Sequence, residues 1–210
     1  MSIVKLNNRG VKDATAIGSV TGLGNMRFIK KLTASSSGTL AFVDGASSVV
    51  FDDTYKEYVF TFKDIHPSAD GAEFQFQGST NTGSSYGVTM TSTSAIAYHD
   101  NDDSYAALSY DDSRDFAQGT GFKILLREIG SANDESGVGL LRIFNPSSTT
   151  FVKHFIADGN YCRHSIGGNE GTERRLAAGY FNTTSAIDAI QFKMDTGNID
   201  AGDICLYGIL

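Results

Sequence analysis

Tryptophan is absent from this chain of 210 residues, cysteine and proline occur only twice each, and basic residues are outnumbered by acidic ones. Without tryptophan, a common platform for stacking on a sugar ring is missing. The cysteines, Cys162 and Cys205, come with no CxxC pair and no Cys/His cluster, which argues against a zinc site. A disulfide between them is conceivable, and two buried free thiols are the preferred reading. No run of about 18 apolar residues is present to cross a bilayer. Residues 1–12 hold no apolar core of a signal peptide. The expectation is a protein made in, and at first soluble in, a cytoplasm, with no membrane insertion. A net charge of −7 argues against recognition of nucleic acid by phosphate neutralisation. The acidic excess reads as a solubility device. Two small basic pairs, Lys30-Lys31 and Arg174-Arg175, read as solvated strand edges, where such side chains discourage edge-to-edge association.

What is abundant is glycine (23), phenylalanine (14) and tyrosine (9), a composition suited to pleated, half-buried strands joined by tight turns. Residues 1–25 differ from the rest: they are polar and glycine-rich, with few periodic apolar positions, and cannot bury enough surface to fold alone. They read either as a frayed terminus or as an extended arm that orders against a partner. Lys5, Asn7, Asn8, Arg9 and Lys12 are the candidate docking residues of that arm. Residues 26–210 read as one β-sandwich domain.

Strand signals recur from Met26 onward. Residues 28–32 and 39–43 flank a Ser/Gly turn and read as a hairpin. Tyr58, Phe60 and Phe62 share one face by the period of two. Phe74 and Phe76 alternate with Gln75 and Gln77 in a strand expected to be half exposed. Further strands are expected at 86–97, 122–129, 140–144, 151–156, 180–182, 187–194 and 204–209, although 121–128 could also form a short helix. Many short strands with turn punctuation, and no fixed-period repeat, predict an all-β, antiparallel, jelly-roll-like sandwich with an extended N-terminal arm.

No catalytic constellation emerges. His66, His99, His154 and His164 sit in no HExxH motif and beside no Gly-x-Ser-x-Gly elbow, and read as structural residues of corners and strands. The acidic stretches 99–103 and 111–112 lack the spacing and glycine of a calcium-binding EF-hand loop. Tyr86, Tyr98, Tyr105 and Tyr110 could stack on sugars, and a carboxylate pair across a cleft could support glycosidase chemistry, but linear sequence does not locate such a pair. Residues 18–24 lack the Lys-Ser/Thr ending of a phosphate-binding loop. No enzyme activity, no cofactor and no metal are expected.

Several long stretches resemble a family of virion-associated structural proteins of marine tailed bacteriophages. They are Val4-Lys-Leu-Asn-Asn-Arg-Gly-Val-Lys-Asp-Ala14, residues 65–78, residues 144–155, and 179–194 continuing through 197–200 to 206–209. Cys205 and the Tyr161-Cys-Arg-His164 segment depart from that pattern. The resemblance implies a virion component assembled in the host cytoplasm and no reaction. Two roles follow from it. One is a capsid decoration or cement module docked on other virion proteins through its arm. The other is a tail fibre or tip protein recognising a host glycan. Homotrimers are the expected assembly in either setting, and a free carbohydrate-binding domain is the reading from outside that family.

Overall fold

The computed structural model describes residues 25–166 and 169–210; the arm residues Lys5, Asn7, Asn8, Arg9 and Lys12 lie outside this range. The described residues form thirteen strands and no helix. They are β1 (Met26–Thr33), β2 (Leu40–Val43), β3 (Glu57–Pro67), β4 (Ala72–Ser79), β5 (Met90–Asp100), β6 (Ala106–Tyr110) and β7 (Phe116–Gly119). After these come β8 (Lys123–Ile129), β9 (Gly137–Phe144), β10 (Lys153–Ile166), β11 (Asn169–Phe181), β12 (Ala189–Met194) and β13 (Ile199–Ile209). Every pairing is antiparallel, as the sequence predicts for an all-β sandwich.

Two layers follow from the pairings. The larger runs β1-β13-β3-β9-β10-β11-β5, with β6 and β7 sharing the far edge of β5. The smaller runs β8-β4-β12-β2. β10 outruns its neighbour β9, and the edge thereby freed meets β8 through the pair Arg163↔Ile129, which stitches the layers together.

The core lies between the layers and is largely aromatic. Phe60 of β3 meets Phe42 of β2 and Phe192 of β12 at centroid distances of 5.2 Å each. Phe62 packs edge-on against Phe74 at 5.2 Å, and Phe76 against Phe155 at 5.2 Å. Tyr58, Phe60 and Phe62 all point inward, as their spacing predicts. Each such ring contributes about 1.5–3 kcal/mol by leaving water, with a further increment of about 0.5–1.5 kcal/mol from edge-to-face geometry.

The expected hairpin between β1 and β2 does not form. β1 pairs with β13 and β2 with β12, in different layers. The intervening turn turns away from itself: Ser36 is left-handed (φ 50), its N–H donates to Asp200, and Ser37 bridges Ile199. Most of the chain behaves this way, crossing between layers at successive strands, so adjacency in sequence does not mean pairing in space.

Other corrections concern extent and burial. Of the stretch where a short helix was the alternative, Lys123–Ile129 forms the expected strand, β8, one residue shorter than 122–129. The strand expected from residue 86 begins at Met90. β10 and β11 form a hairpin far longer than the expected 151–156 and 180–182, and β6 and β7 were not anticipated. β4 is not half exposed, because Gln77 is wholly buried. Its amide donates to the carbonyls of Val88, Thr120 and Gly121, so two connecting segments cover that face.

Candidate functional site

Alternation along β11 places Glu173 and Arg175 inward at consecutive core positions, where a polar side chain needs partners to be tolerated. Arg175 Nη1 donates to Asp111 Oδ2 and to Ser94 Oγ, both at 2.8 Å, and Nη2 donates to Glu173 Oε1 at 3.1 Å. Tyr161 of β10 donates its hydroxyl to the same Glu173 oxygen. Burial, followed by the Glu173 charge, holds the Tyr161 phenol far above its ordinary ionisation. For Asp111 burial works upward, but hydrogen bonds from Ser113 and Arg175 outweigh it and hold the carboxyl below the usual range. Nearby Lys123 is also buried; burial first, then the Arg175 charge, lowers it to about 8, while it donates to the Arg114 carbonyl at 2.5 Å.

This cluster has the groups of an acid–base site without an approach for substrate. Arg175, Glu173, Asp111 and Tyr161 are all buried, and among the described residues they line none of the clefts formed by residues 80–89 and 182–183, by 91–93, 154–156 and 178–180, by 132–135, 162–163 and 170–172, or by 64–66, 133–136 and Ala201. It is an internal ionic pin holding β5, β10, β11 and the segment after β6. The sequence reading of Arg174-Arg175 as a solvated pair therefore needs correction: Arg174 is exposed, while Arg175 is among the most buried residues. Lys30 and Lys31 do lie on an edge strand.

The other chemistry-bearing residues are dispersed. His66 contacts the Ala132 carbonyl, His99 sits 3.2 Å from Asp103, His154 packs edge-on against Tyr180, and His164 pairs with Asp70 at 2.7 Å. In the 99–103 loop Asp100 is buried and committed to Arg163 at 3.2 Å and Ser104 at 3.3 Å. Among the described residues no three His, Cys, Asp or Glu side chains come together as metal ligands would. Tyr98 and Tyr105 stack at 5.0 Å, Tyr110 donates to Asp115, and Tyr86 stands apart in a different cleft. Both cysteines are free, but neither is buried: Cys162 is exposed and Cys205 partly so, because each falls on an outward position of its strand.

The feature that the sequence did not reveal is the outer face of the larger layer. Register places Val138, Asn160, Arg174, Ala97 and Leu108 in one row across β9, β10, β11, β5 and β6. The next row is Leu140, Asp158, Leu176, Ala95 and Tyr110. Arg142, Ile156, Ala178 and Thr93 follow. Leu108 is 80 % exposed, Ile156 49 % and Leu176 41 %. The charges in these rows are already paired. Arg174 grips Asp158 through two bonds of 2.9 and 2.6 Å, and Arg142 lies 3.3 Å from Glu57 of β3. The fork raises the Arg174 guanidinium and lowers the Asp158 carboxyl. A shallow apolar groove of about 500 Å3, bounded by His154, Ile156, Tyr180, Thr91 and Thr93 with Ala178 between them, indents the same face. The signal for this surface was the presence of Leu, Ile and Ala at both parities of β9 to β11, which a period-two reading averages away.

Comparison with protein-family models, curated proteins and solved structures gives no match.

Proposed function

We propose that the protein is a non-enzymatic structural module of a tailed-phage particle, a capsid decoration or cement protein or a fibre component. The observation that carries this reading is the neutral, apolar outer face on a chain of net charge −7. Copies of an acidic protein repel one another except where charge is already balanced, and contiguous exposed apolar surface marks an interaction site. The occupant of this face is a second copy of the chain, and the assembly is a homotrimer. The residues Lys5, Asn7, Asn8, Arg9 and Lys12 dock the module on neighbouring capsid or tail proteins in the virion.

Quantitative mass spectrometry of purified particles, with the major capsid protein as reference, tests the reading. A copy ratio between one and one in a few is expected for a decoration protein. A ratio of a few per hundred would move the protein to the tail and favour host recognition. Absence from the particle would overturn the virion reading altogether.

A further inference from the structure

The segment joining β4 to β5, together with the turn after β11, encloses a cleft of about 360 Å3 whose chemistry differs from the rest of the surface. Thr80, Ser85, Tyr86, Thr89, Asn182 and Thr183 line it, and no charged side chain does. The hydroxyls of Thr80, Tyr86 and Thr89 have no hydrogen-bond partner among the described residues, so they are available to a ligand. Tyr86 is half-buried. Burial and, secondarily, the charge of Asp188 raise its ionisation above the ordinary value, which keeps the phenol neutral and able to donate.

The walls are held before any ligand arrives. Asn81 Oδ1 accepts from Ser79 Oγ at 2.8 Å and from the Ser85 N–H at 3.0 Å. Ser79 Oγ accepts in turn from the N–H groups of Asn81 and Gly83. Thr82 N–H is fixed on Asp188, and the Asn182 N–H on the Thr89 carbonyl. The buried Gln77 amide anchors the floor through Val88. This network explains why a glutamine occupies a fully buried position. A cleft ordered in advance loses less conformational entropy on binding.

We propose that this cleft binds an uncharged pyranose unit of a glycan. A neutral sugar offers the alternating donors and acceptors that hydroxyl and amide walls recognise, and its C–H faces find the Tyr86 ring. An anion would meet no cation here and would feel Asp188; a cation would find no carboxylate in the lining. The proposal stands independently of the assembly reading, since the cleft and the outer face are separate surfaces.

Saturation-transfer NMR on the full chain tests it, with methyl glycosides of glucose, mannose and galactose as probes and N-acetylneuraminic acid as the charged comparator. At least one neutral glycoside should receive saturation at tens of millimolar, and the charged sugar should not. Tyr86→Ala and Thr89→Val should each weaken that binding about tenfold, while Tyr105→Ala, on the stacked pair elsewhere, should leave it unchanged. If circular dichroism shows Tyr86→Ala to be misfolded, the near-isosteric Thr89→Val carries the test alone. Absence of transfer to every neutral glycoside, equal transfer to N-acetylneuraminic acid, or binding untouched by a folded variant would each overturn the proposal.

Discussion

Replacing Arg175 by methionine would leave Asp111 and Glu173 buried without their shared cation. Stranding one side of a buried charge cluster costs about 3–5 kcal/mol, more than most single substitutions. Arg175→Met should therefore lower the urea midpoint sharply, whereas Arg174→Met, at a solvent-screened exposed pair, should barely move it. Lys123 gives the cluster a distinctive pH response. Its ammonium titrates near 8 in the folded protein against 10.5 in the open chain, so between those values the unfolded state binds the extra proton. Stability should then rise with pH across that window, by at most about 3 kcal/mol. Lys123→Met should abolish the rise in a series of urea titrations. Above about pH 10 the opposite trend sets in, because Tyr161 and Tyr58 ionise far more readily when unfolded than when buried.

Among the elements, the β9–β10 ladder has no room for a side chain at Gly139. A Cβ at Gly139 would lie 2.6 Å from the Asp158 carbonyl oxygen and 2.9 Å from Gly159 Cα, with backbone rather than a yielding side chain in the way. Gly139→Ala should open this ladder and speed amide exchange at residues 156–161 before the rest of the sheet is affected. The same elements show what sequence reasoning could and could not see. β3 is legible because Tyr58, Phe60 and Phe62 occupy one parity and Phe60 and Phe62 meet the rings of Phe42, Phe74 and Phe192 in the facing layer. β11 is not, because its inward parity carries Glu173 and Arg175, which read as surface until Asp111, Ser94 and Tyr161 are brought beside them. Those partners lie far off in the chain, and no local pattern announces them. The β1–β2 hairpin was misread for a related reason: turn chemistry at residues 34–38 is real, but it delivers the chain to the other layer instead of back on itself. The Tyr86 cleft is half visible in the sequence, where Tyr86 stands among the candidate stacking tyrosines, while Asn182 and Thr183 of the turn after β11 become its neighbours only on folding.

For the molecule as a whole, charge and apolar surface are segregated. The outer face of the larger layer pairs Arg174 with Asp158 and Arg142 with Glu57, leaving Val138, Leu140, Ile156, Leu176 and Leu108 on electrically balanced ground within an acidic protein. Assembly through that face should be driven by apolar burial and depend little on salt, because its ion pairs are made within one chain. Sedimentation equilibrium of the purified protein, beside Leu176→Glu, tests this most directly. Leu176 is exposed on the sheet, so the added charge should spare the monomer fold and act on association alone. A wild-type mass near three times 22.5 kDa and a folded, monomeric variant are the expected results. A monomeric wild-type protein, or an oligomer that Leu176→Glu leaves intact, would contradict the assignment of this face.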